Sequence, residues 1–217
     1  MLAYFALANA STRDLDGVTL EIRMAWKPQG RDEPRPVLPM YFDVRPNIGA
    51  PNTFDAVPGK SVTSSEFVLP AAGHVRYLGG HLHQYGVELR LEDAETNKVL
   101  ARLKSDRNSD GTIRAVQRQR FYFRRNGLGL RAGHRYRVVA VYDNPTCAAI
   151  PGSMGLIVAI FAPDNLAQWP AVDPANPDYL KDIAWFLEAG ATEANESHDH
   201  GDSHASMAMP LAGRCAP

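Results

Sequence analysis

Cysteine and histidine are both scarce in this chain: its 217 residues include two cysteines and seven histidines, with no histidine before position 74. Cys147 and Cys215 lack the close spacing of a metal motif. They leave a disulfide that ties the end of the chain back as the alternative reading. No apolar run approaches the ~18 residues that a membrane span needs. The net charge of -1 gives no general reason to expect a nucleic-acid or anionic-membrane partner. Residues 1–10 contain small residues but no basic ones and only a short apolar run, which fits a secretory leader poorly and predicts a strand.

Helical periodicity is also missing until residue 177, and what fills the chain is strand pattern. Residues 18–26 alternate, with Val18, Leu20, Ile22, Met24 and Trp26 on one face. Pro28, Pro34, Pro36, Pro39, Pro46, Pro51 and Pro58 exclude helix over 27–60 and predict loops around a short strand near 37–44. Further strands are expected over 61–69, 98–103, 112–124, 134–143 and 153–162. In the strand 134–143, His134, Tyr136, Val138, Ala140 and Tyr142 face inward. Eight arginines between Arg114 and Arg137 are expected on solvated strand faces, or as a dock for the acidic tail. Short strands separated by turns predict an all-β fold, an antiparallel β-sandwich of jelly-roll type over residues 1–175.

One helix follows, over 176–190. Asn176 is placed as N-cap, Pro177 at the first position and Gly190 after the end. Leu180, Ile183 and Leu187 form an apolar row expected to pack on the sandwich. Residues 191–217 are Ala, Ser, Asp, Glu and His with few large apolar groups, which predicts a disordered tail. His198, His200 and His204, with Met207 and Met209, are able to hold soft or borderline metals loosely.

The chemistry concentrates in residues 74–86, which hold three of the seven histidines, two of them as His81-Leu-His83. In an extended strand, residues i and i+2 point the same way, so His81 and His83 can present two imidazoles to one ion. Alternation continued through Tyr85, Val87, Leu89 and Leu91 puts them on the core face. Buried imidazoles need partners, a metal or hydrogen bonds. Met154 is a candidate soft third ligand. His74 is read as a structural neighbour, because seven residues put it on the other face of the strand from His81 unless Gly79-Gly80 kinks. His134 is an additional candidate ligand.

The stretches His74-Val-Arg-Tyr-Leu-Gly-Gly-His81-Leu-His83-Gln-Tyr-Gly86, Tyr136-Arg-Val-Val-Ala-Val-Tyr142-Asp-Asn-Pro145 and Gly152-Ser-Met154-Gly-Leu together resemble the C-terminal domain of copper type II ascorbate-dependent monooxygenases. Peptidylglycine hydroxylating monooxygenase and dopamine β-monooxygenase are the best-known members. The likeness spans roughly residues 60–162. It implies one copper, the one at which oxygen is activated, on His81, His83 and Met154, with ascorbate or another reductant supplying electrons. Zinc is the lesser alternative, since a thioether serves it badly.

The chain also departs from that pattern. It has no His-His pair, so a second, electron-delivering copper site cannot be built from it as in the family. Ser153 and Gly155 stand where an acidic residue and a cysteine are usual. The expectation is therefore a copper domain completed by a missing N-terminal domain or redox partner, in the periplasm or outside the cell, with substrate unknown. The alternatives are a non-catalytic copper-handling protein and a β-sandwich interaction or carbohydrate-binding module.

Overall fold

The structure, a computed structural model, describes residues 36–121 and 127–196, with side chains to residue 188, and a few positions between Thr12 and Arg23. In chain order the elements are β1 (Leu38–Asp43), β2 (Phe54–Ala56), β3 (Gly59–Val68), β4 (Gly73–Leu82), β5 (Gly86–Asp93), β6 (Lys98–Arg107), β7 (Ile113–Val116), β8 (Gln119–Arg120), β9 (Leu128–Leu130), β10 (Arg135–Asn144), β11 (Ile150–Ser153) and β12 (Gly155–Pro163). One helix, α1 (Pro177–Glu196), follows.

Two antiparallel sheets face each other. One has the order β1-β12-β4-β8, with β9 also paired to β4; the other has the order β3-β10-β5-β6-β7, and β2 and β11 form a separate ribbon. This is the expected antiparallel β-sandwich. Its core interleaves Phe42, Leu78, Ile157 and Phe161 of the first sheet with Leu89, Leu103, Val138 and Tyr142 of the second. Burying each such side chain contributes about 1.5–3 kcal/mol relative to exposure. The inward set at β10 is as expected: His134, just before the strand, and Tyr136, Val138, Ala140 and Tyr142 within it are all buried.

The strand expected to run from His81 to Leu91 is in fact two strands in opposite sheets. Tyr85, at φ 65, and a bond from Gly86 N–H to the His83 carbonyl make a tight turn there. Pattern alone cannot see such a corner, because both flanking segments alternate. Among the other expectations, 112–124 resolves into β7 and β8, with 122–126 outside the described residues. The strands expected over 1–10 and 18–26 lie wholly or mostly outside them; Val18, which is described, is exposed.

Helix α1 begins as its cap predicts: the Asn176 side chain accepts from Asp178 N–H at 2.9 Å and Tyr179 N–H at 3.1 Å. It then runs through Gly190 to Glu196. A helical glycine costs about 1 kcal/mol, and alanines on both sides, the best helix formers, lessen the effect. The apolar row is not packed: Leu180, Ile183 and Leu187 are exposed. The two sheets already bury each other's inner faces, which leaves the helix a polar attachment, Gly49 N–H to Asp182 at 3.1 Å. No helix among the described residues is long and apolar enough to cross a membrane. The tail beyond 196, with His198, His200 and His204, lies outside the described residues. Cys147 is disulfide-bonded, and Cys215 also lies outside them.

Of the clustered arginines, Arg114 pairs with Asp106 and both Arg135 and Arg137 pair with Glu66, while Arg124 and Arg125 lie outside the described residues. On the outer face of the second sheet, Arg102, Glu88, Arg90, Glu92, Arg137 and Glu66 form a ladder of alternating charge. At the β5–β6 turn, Asp93 accepts from the Glu95 and Thr96 N–H groups, each at 3.0 Å, and from His134 Nε2 at 2.9 Å. Burial alone would raise the Asp93 pKa, but these donors outweigh it and hold the carboxyl at about 2. The ordinary value is about 3.9. Ionised Asp93 therefore stabilises the fold above that value, and the contribution fades as pH falls towards 2. In urea unfolding at several pH values, Asp93→Asn should be less stable than wild type at neutral pH, with the gap closing by pH ~2. A gap that is constant with pH would contradict this role.

Candidate metal centre

The β4–β12 ladder builds the site. Gly155 pairs with Leu82 and Leu156 with His81, so one step further Met154 comes opposite His83. Leu78 and Leu82 of β4 point into the core. His81 therefore points outward, and His83, just past the strand end, joins it on the outer face. The pairing of the two histidines is as expected, but their face is corrected: they sit outside the sheet, because the corner at Tyr85 breaks the alternation that linked them to Leu89.

The two imidazoles converge. His81 Nε2 and His83 Nε2 lie 2.9 Å apart, with the rings nearly perpendicular at 83°. His83 Nδ1 is 2.6 Å from the Gly152 carbonyl, which can only accept. His83 thus carries its proton on Nδ1 and leaves Nε2 bare, the state a metal ligand needs. His81 is open to solvent at one edge. Partial desolvation by the sheet, and then the charge of His83, hold its pKa below the ordinary histidine value.

Donors 2.9 Å apart can both reach one ion at the usual metal–nitrogen length of about 2.0–2.1 Å, with about 90° between them. Among the described residues no third His, Cys, Asp or Glu joins the pair. The residue that the register brings opposite His83 is Met154, whose side chain carries a thioether. Imidazole with thioether is a set that suits copper, Cu(I) especially, and suits zinc poorly.

His74 and His134 lie elsewhere. A bulge at Arg76, between the pairs Val75–Phe161 and Tyr77–Ile160, returns His74 to the outer face, where a kink at Gly79-Gly80 had been envisaged. His74 is nevertheless about 20 Å from His81 along the strand. Its Nδ1 is 3.0 Å from Asp164, within ion-pair reach but not aligned for a hydrogen bond. His134, at the far end of β10 from Tyr142, is held between Asp93 and Glu95 at 2.9 and 3.2 Å. Both of its nitrogens face carboxylates, a structural role.

Two participants had not been singled out from the sequence. The Gly152 carbonyl is one, at a φ of 72 that glycine adopts without strain. Tyr142 is the other: its hydroxyl accepts from His83 N–H at 3.0 Å and donates to the Met154 carbonyl. Its inward position was legible; that its hydroxyl meets these two backbones was not.

Gly80 carries the strand that holds the pair. A Cβ there would come within 2.5 Å of Leu89, inside the core, and 3.0 Å of Val116, which packs against it. Gly80→Ala should destabilise by about 1–3 kcal/mol, read by thermal or urea unfolding. A neutral substitution would mean that the core yields more easily than its packing indicates. In comparisons with protein-family models and with curated proteins, nothing matches the chain.

Proposed function

We propose that this chain is a copper-binding β-sandwich of jelly-roll type, with one mononuclear centre on His81, His83 and Met154, related in design to the oxygen-activating half of the copper type II monooxygenases. The observation that carries the reading is the convergence of two imidazole Nε2 atoms at 2.9 Å, with His83 oriented from behind by Gly152. Copper bound there would supply one-electron and oxygen chemistry, fed by ascorbate or another reductant. The chain's own part is to hold the ligands. The β4–β12 ladder holds His81 and brings the backbone of Met154 towards that of His83, and the outer face leaves the pair open to a small molecule or partner.

Electrons are a separate matter. No His-His pair is present from which to build the family's second copper site. A preceding domain or a redox partner would deliver them in a working hydroxylase. A stand-alone copper-handling role is the second reading, favoured by His81 being open to solvent, as transfer of an ion requires. The disulfide at Cys147 suits a periplasmic or extracellular setting for either reading.

Metal analysis of protein made without a histidine tag tests the reading. Wild type should retain one copper per chain, His83→Ala should lose it, and Met154→Leu should weaken Cu(I) more than Cu(II). Unchanged copper content in both variants would overturn it. Oxygen uptake with ascorbate, above the free-copper background, then separates the enzyme from the copper-handling protein.

A further inference from the structure

We infer that Tyr142 is a positioning residue that keeps the Met154 thioether within reach of the histidine pair, and so sets the centre's preference for reduced copper; this rests on the copper reading above. Tyr142 belongs to β10, in the sheet opposite the one that carries the histidines. Its side chain is 1% exposed and crosses the core, with its ring edge-on to Phe54 at 5.5 Å. At the far side the hydroxyl meets both ligand-bearing segments, the His83 N–H and the Met154 carbonyl.

The phenol has one proton to donate, and the Met154 carbonyl receives it. The oxygen accepts from His83, so both bonds exist at once and one atom spans the two segments. Met154 lies between β11 and β12 and belongs to neither strand. Ladder bonds alone therefore do not place it. The pairing of β11 with β2 is irregular between Ile150 and Ser153, and Gly152 is in the left-handed region, which leaves that approach pliable.

The two segments are held unequally. The His83 ring has a second anchor at Gly152, 2.6 Å away. Removing the hydroxyl therefore leaves the histidine pair in place and frees Met154 to pivot about Gly152. Since imidazoles suit both copper states and a thioether favours Cu(I), the consequence is selective. Cu(I) binding depends on Tyr142 and Cu(II) binding does not.

Tyr136 provides an internal control. It lies on the same strand, is as buried, and its hydroxyl accepts from Arg131 N–H at 2.7 Å, but at the other end of β10. Tyr142→Phe keeps the ring in the core and loses only the two bonds. The experiment measures Cu(I) and Cu(II) affinities for wild type, Tyr142→Phe, Tyr136→Phe, Met154→Leu and the Tyr142→Phe/Met154→Leu double variant, with X-ray absorption of the Cu(I) forms to detect sulfur.

Tyr142→Phe should lose about tenfold or more in Cu(I) affinity, the scale on which groups behind metal ligands act. It should keep its Cu(II) affinity and lose the sulfur signal. The double variant should bind no worse than Met154→Leu, because the tyrosine acts through the methionine. Tyr136→Phe should bind both states as wild type does. Site-specific 3-fluorotyrosine at position 142, which keeps the O–H donor and the fold, should preserve Cu(I) affinity and the sulfur signal.

Wild-type Cu(I) affinity and sulfur signal in Tyr142→Phe would overturn the inference. So would equal losses for both copper states, full additivity with Met154→Leu, the same loss in Tyr136→Phe, or loss of the sulfur signal with 3-fluorotyrosine. A wild-type chain that binds no copper in either state would overturn the copper reading itself, and this inference with it.

Discussion

The antiparallel pairing of β4 with β12 sets Leu156 against His81 and Gly155 against Leu82, and the candidate centre depends on that register. A slip of one residue would turn every side chain of β4 to the other face. Leu78 and Leu82, now in the core, would go outward, and His81 would enter an apolar interior without a partner. The burial that selects the fold thus also selects where the histidines point. Met154 is brought opposite His83 by the same ladder, although 70 residues separate them in sequence.

The centre sits on the outside of the sandwich but is oriented from within. Tyr142 reaches it through the core from the opposite sheet, and Gly152 approaches from the β11–β12 link. Gly80 allows β4 to lie close over Leu89. The His83 ring is held by two hydrogen-bonding neighbours, at its Nδ1 and at its Nε2, while the end of His81 stays open to solvent. An arrangement that fixes the ligands from the rear and leaves the front open suits binding of a metal together with a further molecule.

Elsewhere the polar groups serve the fold. Asp93, His134 and Glu95 lock the β5–β6 turn to the start of β10. The arginines of the second sheet alternate with Glu66, Glu88 and Glu92, and Val139, which is buried although it lies on the outer face, stands opposite Arg90. Of the arginines clustered between 114 and 137, Arg135 and Arg137 are engaged in these pairs through Glu66 and Glu92. The apolar row of α1 remains open to solvent, since the sandwich has no uncovered inner face to offer it.

Strand alternation, proline-rich loops and the Asn176-Pro177 start were readable from the sequence because each is local: a period of two, a fixed φ, a side-chain cap. The His-x-His spacing was equally local, and so the convergence of His81 and His83 on one side could be expected from residue numbers alone. Their face could not. It turns on the corner at Tyr85, where a residue at positive φ ends one strand and starts another in the opposite sheet, and the alternation on each side gives no sign of the break. The roles of His74 and His134, the bulge at Arg76 and the reach of Tyr142 were likewise decided by which strands pair and in what register. That choice is made by burial summed over the whole sandwich, and no short stretch of the chain contains it.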